Sequence, residues 1–415
     1  MLAVILAAGE GMRMRPLTYN RPKVMLPVVG KPILEHIINS CVKAGIPRIL
    51  IVTGYHEDVV RSYLKNRAFD AEVEFIRQAK QLGTADAINQ TRDFVHERFL
   101  VLNGDSIVTP STLEHLIEKA RAQSTVIAAQ KVPDPSNYGI LEVSGEKVVG
   151  IIEKPVHPRS DLANIGIYVF DPVIFGAINK TTRSTRDEYE ITDAIQLLIE
   201  RKEEVGYLHI NEPWIDVGRP WDLLRANELL LPSIDGVNDG LIEPLATVAG
   251  AVKIGHNAII RNGAYVIGPA VIGAHCDIGP NCYIRPGTCL GDRVKIGNAV
   301  EVKNSIIMDD SKIGHLSYIG DSVIGERCNF GAGTLVANLR FDERPIKVGA
   351  TPTGRRKLGV IMGDDVHTGI NSMINVGSSI GPDSTLDIGA IANGIYPPSS
   401  TITSSHKMVN DGHSF

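Results

Sequence analysis

Two rhythms of apolar and polar residues divide this chain. Up to about residue 230, short aliphatic runs alternate with amphipathic stretches: LAVILAA, ILEHIINSCVKAG, RILIVTG, DVVRSYLKN, EVEFIRQ, TADAINQTRDF and RFLVLNGD. Runs this apolar predict strands buried on both faces, and the stretches between them predict covering helices. The alternation therefore predicts an α/β domain built on a mostly parallel sheet, with its ligand site beyond the carboxyl ends of the strands. LPSIDGVNDG (231–240) breaks both kinds of periodicity and reads as a connection. Beyond it the period becomes six. Val248, Ile254, Ile260, Val266, Ile272, Ile278, Ile284, Leu290, Ile296 and Val302 follow at an unbroken interval of six, every one aliphatic. The frame slips by one to Ile307, Ile313 and Ile319, and again to Ile324, Phe330 and Val336. After an interruption it returns at Met362, Thr368, Ile374, Ile380 and Leu386. A repeat this regular predicts a stacked solenoid with a thin core.

Ranks of an aliphatic, often a glycine, two variable residues and then a small residue resemble the left-handed parallel β-helix. That resemblance implies a triangular prism in which each rank forms one face and three ranks complete a coil. The aliphatic and the small residue would point inward, the second and third positions outward, and three copies would associate. The expected organisation is 1–232, a linker at 233–243, and a β-helix over 244–415.

Composition narrows the function. Hydrophobic content of 43% and charged content of 21% fit a soluble globular protein of 415 residues in two domains. A net charge of −5 and only 5% aromatics argue against nucleic acid as a partner. Neither a signal peptide nor a membrane span is expected. Five cysteines without a CxxC point to a reduced, cytoplasmic protein.

The first strand runs into LAAGEGMRMRPLTYNRPKVMLPV. Gly9 and Gly11 let the backbone approach a ligand, and the amides between them can cradle phosphates. Arg13 and Lys23 add positive charge where a triphosphate would lie. This run is neither a Walker A loop nor the GxGxxG fingerprint. As a whole it resembles the signature of sugar-1-phosphate nucleotidylyltransferases, and RQAKQLGTADA (77–87), LVLNGD (100–105), NYGI, EKP, ANIGIYVF, YEITDA and WIDVGRPWD follow in that family's order. The resemblance covers residues 1–230 and implies a Rossmann-like fold that joins a sugar phosphate to a nucleoside triphosphate, with release of pyrophosphate. It implies that Leu6, Ala7, Ala8, Gly9, Gly11, Gln78, Gln81, Gly83, Thr84 and Asp105 bind the nucleotide. Asp105 and Asp216 would hold Mg²⁺, Arg13 and Lys23 would stabilise the reacting phosphates, and Gly139, Glu153, Lys154 and Asn164 would hold the sugar phosphate. Gln78 can offer a donor and an acceptor to the edge of uracil or thymine, so UTP and dTTP both remain open.

In the β-helix, KIGHLSYIGD places His315 at an outward third position, as Ile254-Gly-His places His256. A lone outward histidine is ordinarily surface. Stacking, however, is expected to bring Arg285, Lys303, Tyr318 and Asn329 around His315 as a sugar-phosphate pocket. The order RPG, EVK, KIGHLSYIGD, NFGAGTLVAN is similar to the acetyltransferase domain of the bifunctional glucosamine-1-phosphate acetyltransferase / N-acetylglucosamine-1-phosphate uridylyltransferase family. That resemblance implies His315 as general base toward an amine attacking acetyl-CoA, suited by a pKa near neutrality. Glu301 would orient the imidazole, the Ala332 amide would stabilise the oxyanion, and Asn338 would position the amine or thioester. The loop 339–359 breaks the hexads, and its cations Arg344, Lys347, Arg355, Arg356 and Lys357 are expected at the phosphates of coenzyme A. Bacterial members carry a serine near the acyl group where this chain has Ile370 or Asn371. The leading reading is one polypeptide making a nucleotide-activated N-acetylamino sugar in two steps. A second keeps only nucleotidyl transfer, with the β-helix for assembly, and a third is a non-catalytic nucleotide sensor.

Overall fold

The computed structural model describes residues 1–404 and the strand Met408–Val409. Its contacts divide it into two compact units. The first comprises Met1–Glu10, Arg21–Met25 and Pro32–Asp216; the second comprises Gly11–Asn20, Leu26–Lys31 and the chain from Val217 onward. No helix among the described residues is long and apolar enough to cross a membrane.

The first unit is an α/β domain of Rossmann-like type. Its nine-stranded sheet runs, edge to edge, through Glu72–Arg77, Arg48–Thr53, Leu2–Ala7, Phe99–Asn103, Leu162–Phe170, Thr125–Lys131, Val205–His209, Lys147–Glu153 and Gly139–Ser144. The first four strands are mutually parallel, and Leu162–Phe170 is antiparallel to both of its neighbours. Ile5, Ile49, Leu50, Val101, Leu102 and Phe170 are wholly buried, as continuous aliphatic runs require when both faces are covered. Parallel pairing of Leu6 with Asn103 brings the ends of two strands together, and the Gly104 amide donates to the Leu6 carbonyl at 2.9 Å. A Cβ on Gly104 would meet that carbonyl oxygen at 2.5 Å, so the LNGD turn requires glycine there.

Among the described residues, the second unit is a parallel β-helix whose three sheets have nine, ten and eight strands, the last strand of the ten, Met408–Val409, pairing antiparallel. The hexad aliphatics from Ile254 to Val302, with Ile313, Ile319, Ile324, Phe330 and Val336, form one continuous buried core. The pairing explains the frame slips: it steps from Ile278 to Ile296 and then to Ile313, one residue short. Ser305, Ser311, Ser317 and Ser322 are buried along the shorter coils, each with its hydroxyl bonded to backbone. The interruption is an excursion: Phe330 pairs next with Thr368, and the intervening chain makes a small hairpin of Lys347–Val348 with Thr351–Pro352.

The linker expected at 233–243 already belongs to the stack. Val237–Asn238 pairs with Lys253 and Ile254, and Leu241–Ile242 with Ile259 and Ile260. These short strands are exposed as the terminal coil, which is why their sequence looked like a connection.

Candidate functional sites

In the first unit the carboxyl end of the sheet gathers the charged groups. Lys23 is buried, and its ammonium donates to Asp105 Oδ2 at 2.6 Å. The next residue, Ser106, pairs across an antiparallel ladder with Asp216, so both expected metal ligands lie at one edge. Gly11, which begins the segment Gly11–Asn20 of the second unit, adopts the left-handed conformation at φ 68° and opens the short turn Met12–Met14, on which Arg13 is exposed.

The base-reading segment differs from expectation in one half. Gln78 is only 3% exposed, and its amide nitrogen donates to Asp86 Oδ2 at 2.7 Å and to the Gly83 carbonyl at 3.3 Å. Both amide hydrogens are thus committed, and only the carbonyl oxygen remains to accept from a base N–H. Gly83, at φ 115°, lies so near Tyr189 that a Cβ would meet the Tyr189 carbonyl at 2.5 Å. Thr84 Oγ1 accepts from the Ile191 amide at 3.0 Å, stapling this segment to the start of the helix Ile191–Glu200. Gln81 is exposed, with its amide nitrogen beside Gly54 and the Ala8 carbonyl.

The sugar-site residues converge. Glu153 and Gly139 pair across a hairpin, and a Cβ on Gly139 would stand 3.0 Å from Glu153 Oε2 and 3.5 Å from Asn164 Nδ2. Asn164 donates to the Tyr168 hydroxyl at 2.7 Å and accepts from the Gly166 amide at 3.0 Å, so its orientation is fixed. Lys154 sits at φ 42° with its ammonium 3.6 Å from Glu153. Burial raises the Glu153 carboxyl above its usual range, with Lys154 and Arg186 opposing. Gly139→Ala should therefore fold, yet raise KM for the sugar phosphate by about tenfold or more, since the methyl occupies the space between Glu153 and Asn164. Steady-state kinetics against thermal unfolding checks this.

A second expectation follows from the Glu153 shift. A carboxyl raised in the folded state contributes stability that is complete below the ordinary carboxylate pKa and declines as pH rises through the shifted value. Glu153→Gln should remove that decline, leaving Tm at pH 8 equal to or above wild type while turnover of sugar phosphate falls. A Tm profile parallel to wild type from pH 4 to 8 would contradict it.

In the β-helix, one face carries most of the predicted pocket. Arg285 donates to Glu301 at 2.8 Å and lies 5.6 Å over the Tyr283 ring; Glu301 pairs in register with Tyr318. Lys303, two residues further along that strand, donates to Asp321 at 3.1 Å. Asn338 donates to Asp321 at 2.5 Å and to the Tyr318 hydroxyl at 3.2 Å. The side chains of Tyr318 and Asn338 lie across Gly320, where any Cβ would approach both to 2.6 Å. Burial, with Asp321 adding to it, raises the Tyr318 phenol above its usual value.

His315 ends the strand Lys312–His315 at the leading corner of that face, exposed, with the turn passing through Leu316 at φ 48°. Lys312 and Ile313 pair with Asn329 and Phe330; continued two residues, that register sets Ala332 beside His315, and the Gly333 amide donates to the His315 carbonyl at 3.3 Å. Two expectations are corrected. Glu301 is committed to Arg285, and among the described residues no hydrogen bond to the His315 imidazole is present. Asn329 lies beside Lys312 on the neighbouring face, three positions, or roughly 10 Å, along the strand from the histidine's column. Of the loop cations, Arg355 is clamped by Glu228 at 2.5 Å and Arg356 is paired with Glu343. Gly354, Arg355, Arg356 and Lys357, with Glu228 and Asp321, line a cavity of about 460 Å³. Ile370 and Asn371 are exposed at the corner above Ala332.

Residues 2–233 match the nucleotidyl transferase family, and residues 266–396 match the GMPPB C-terminal domain. The bifunctional protein GlmU of Methanocaldococcus jannaschii is 44% identical over 383 residues, which span 91% of each chain. The bifunctional sugar-1-phosphate nucleotidylyltransferase/acetyltransferase of Sulfurisphaera tokodaii is 39% identical over 401 residues, 95% of this chain and 97% of that one. The chain belongs to this bifunctional nucleotidylyltransferase/acetyltransferase family. Among solved structures, UDP-glucose pyrophosphorylase complexed with UDP-glucose matches with a TM-score of 0.53 at 24% identity, covering 56% of this chain and 99% of that one, a likeness of fold.

For a nucleotidylyltransferase/acetyltransferase, the structure adds residues that the motifs did not single out. Arg186 donates to Glu190 at 2.6 Å and to Glu153 at 3.2 Å, joining two sugar-site segments. Asp86 holds Gln78, and Asp321 holds Lys303 and Asn338. Each is a carboxylate or cation inside a quoted motif or a few residues from it, so the signal was present without its direction.

Proposed function

We propose that the chain makes UDP-N-acetylglucosamine in two steps: acetyl transfer from acetyl-CoA to glucosamine 1-phosphate in the β-helix, then uridylyl transfer from UTP in the first unit. The observation that carries the reading is the single β-helix face bearing Arg285, Lys303, Tyr318 and Asn338, with His315 and Ala332 at its corner. A scaffold needs only the inward aliphatics and gains nothing from these outward groups.

In acetyl transfer the sugar's amine nitrogen attacks the thioester carbonyl carbon. His315 Nε2 or Nδ1 takes the proton, the Ala332 amide donates to the oxyanion, and the thiolate leaves and is protonated to coenzyme A. Arg285 and Lys303 meet the sugar phosphate. Asn329, three strand positions from the histidine's column, is left out of this arrangement. In nucleotidyl transfer the sugar phosphate oxygen attacks the α-phosphorus and pyrophosphate leaves in line. The carboxylates of Asp105 and Asp216, on strand ends that pair at one edge, are the hard oxygen donors Mg²⁺ takes when phosphates complete its shell, and the ion would neutralise charge on the reacting phosphates. Lys23, paired with Asp105, would turn to the phosphates when the nucleotide binds. The Gln78 carbonyl, accepting from N3–H, suits uracil and thymine alike.

The test is twofold: free thiol released from acetyl-CoA with glucosamine 1-phosphate, and pyrophosphate released across a panel of nucleotides and sugar phosphates. The reading expects thiol release, and pyrophosphate release fastest with UTP and N-acetylglucosamine 1-phosphate. A second reading, nucleotidyl transfer alone with UTP or dTTP, has the match of residues 266–396 to the GMPPB C-terminal domain on its side; it expects no thiol release.

A further inference from the structure

We infer that Asp321 is a positioning residue for acetyl transfer, through which the sugar-phosphate groups of the β-helix are held in a single arrangement; the inference rests on the acetyltransferase reading. Asp321 occupies a prism corner in the left-handed conformation, φ 49°, and is 2% exposed. A carboxylate this buried must have its charge and lone pairs met. Its Oδ2 accepts from the Lys303 ammonium at 3.1 Å and from the Asn338 amide at 2.5 Å, and its Oδ1 accepts from Asn304 Nδ2 at 2.8 Å. Asn338 in turn reaches the Tyr318 hydroxyl. Two groups of the candidate pocket, Lys303 and Asn338, are thus arranged around one carboxylate, with Tyr318 joined through Asn338.

The same carboxylate ties the pocket to the excursion loop. Asn304 donates a second bond, to Glu228 Oε1 at 3.0 Å, and Glu228 clamps Arg355. Gly359 donates its amide to the Asp321 carbonyl at 2.8 Å, where the loop re-enters the stack. Holding Lys303 from behind restricts a flexible ammonium that would otherwise spend its entropy in solvent, so the cation is preorganised for a phosphate. The aspartate makes no bond to the substrate in this scheme; it acts through Lys303 and Asn338.

The test is a double-mutant cycle on the full-length chain, reading thiol release, with pyrophosphate release as the control for folding. Asp321→Asn should lower kcat/KM for amino-sugar phosphate roughly 10- to 100-fold, the loss expected when charged hydrogen bonds fail. KM for acetyl-CoA should stay within about twofold of wild type. Combined with Asn338→Ala, the loss should fall well short of the product of the two single losses, because both remove the same contact. Multiplying losses would mean that Asp321 supports the fold alone and would overturn the inference. If Asp321→Asn does not unfold cooperatively, Asn338→Asp addresses the contact from the other side. A second carboxylate facing Asp321 should cost more activity than Asn338→Ala, and equal activity of the two would overturn the inference as well. Absence of thiol release from the wild-type chain would remove the acetyltransferase reading and this inference together.

Discussion

His315→Ala should cut acetyl transfer by about 10²- to 10⁴-fold while leaving pyrophosphate release unchanged. The amine of an amino sugar must shed a proton as it attacks, and the imidazole at the corner of the β-helix face is the base placed for it. His315 is exposed and contributes nothing to the buried core, so the variant should unfold at the wild-type temperature within about a degree. The control is His256→Ala, an outward histidine in the same rank position without Arg285, Lys303 or Asn338 on its coil; its thiol release should match wild type. Equal loss in both variants would remove the special role of position 315.

The converse experiment concerns the first unit. Asp216→Asn should lower nucleotidyl transfer by about 10²- to 10³-fold, comparable to losing one electrostatic contact to a transition state, with thiol release intact. Asp105→Asn should do at least as much, because it also releases Lys23 from the pairing that now holds it at the edge of the sheet. Titration with Mg²⁺ separates ligation from structure: a lost ligand raises the Mg²⁺ concentration for half-maximal rate, and excess metal restores part of the rate. A fall in rate that no Mg²⁺ concentration relieves would show that the aspartate shapes the edge without holding the ion.

The β-helix was legible almost coil by coil, because a prism that buries an aliphatic and a small residue in every rank of six writes that constraint directly into the sequence. Ile296 and Ile313 could be placed in the core without knowing their neighbours. The face of an outward residue was harder, since it depends on counting ranks through two frame slips. Asn329 precedes Phe330 and so shares a face with Lys312, whereas Tyr318 opens the next face. The start of the stack was missed because a terminal coil has nothing to cover it, so Val237 and Leu241 look like linker residues.

At the sites, glycines and charged residues in tight motifs announced themselves, and Gly139, Glu153 and Asn164 do converge. What no motif displays is which partner a side chain already has. Gln78 looked free to read a base, yet Asp86 and the Gly83 carbonyl take its donor hydrogens; Glu301 looked available to the imidazole, yet Arg285 takes it. Asp321 lies inside the motif KIGHLSYIGD but did not stand out there, because only the stacking of coils brings it against Lys303 and Asn338.

The most direct measurement supplies the purified chain with glucosamine 1-phosphate, acetyl-CoA, UTP and Mg²⁺, and follows free thiol, pyrophosphate and the nucleotide sugar together. The account predicts thiol release first and then UDP-N-acetylglucosamine in equal amount, with His315→Ala forming the product only when N-acetylglucosamine 1-phosphate is added ready-made. Pyrophosphate release without any thiol release above the His315→Ala background would contradict it and leave the β-helix with no chemistry of its own.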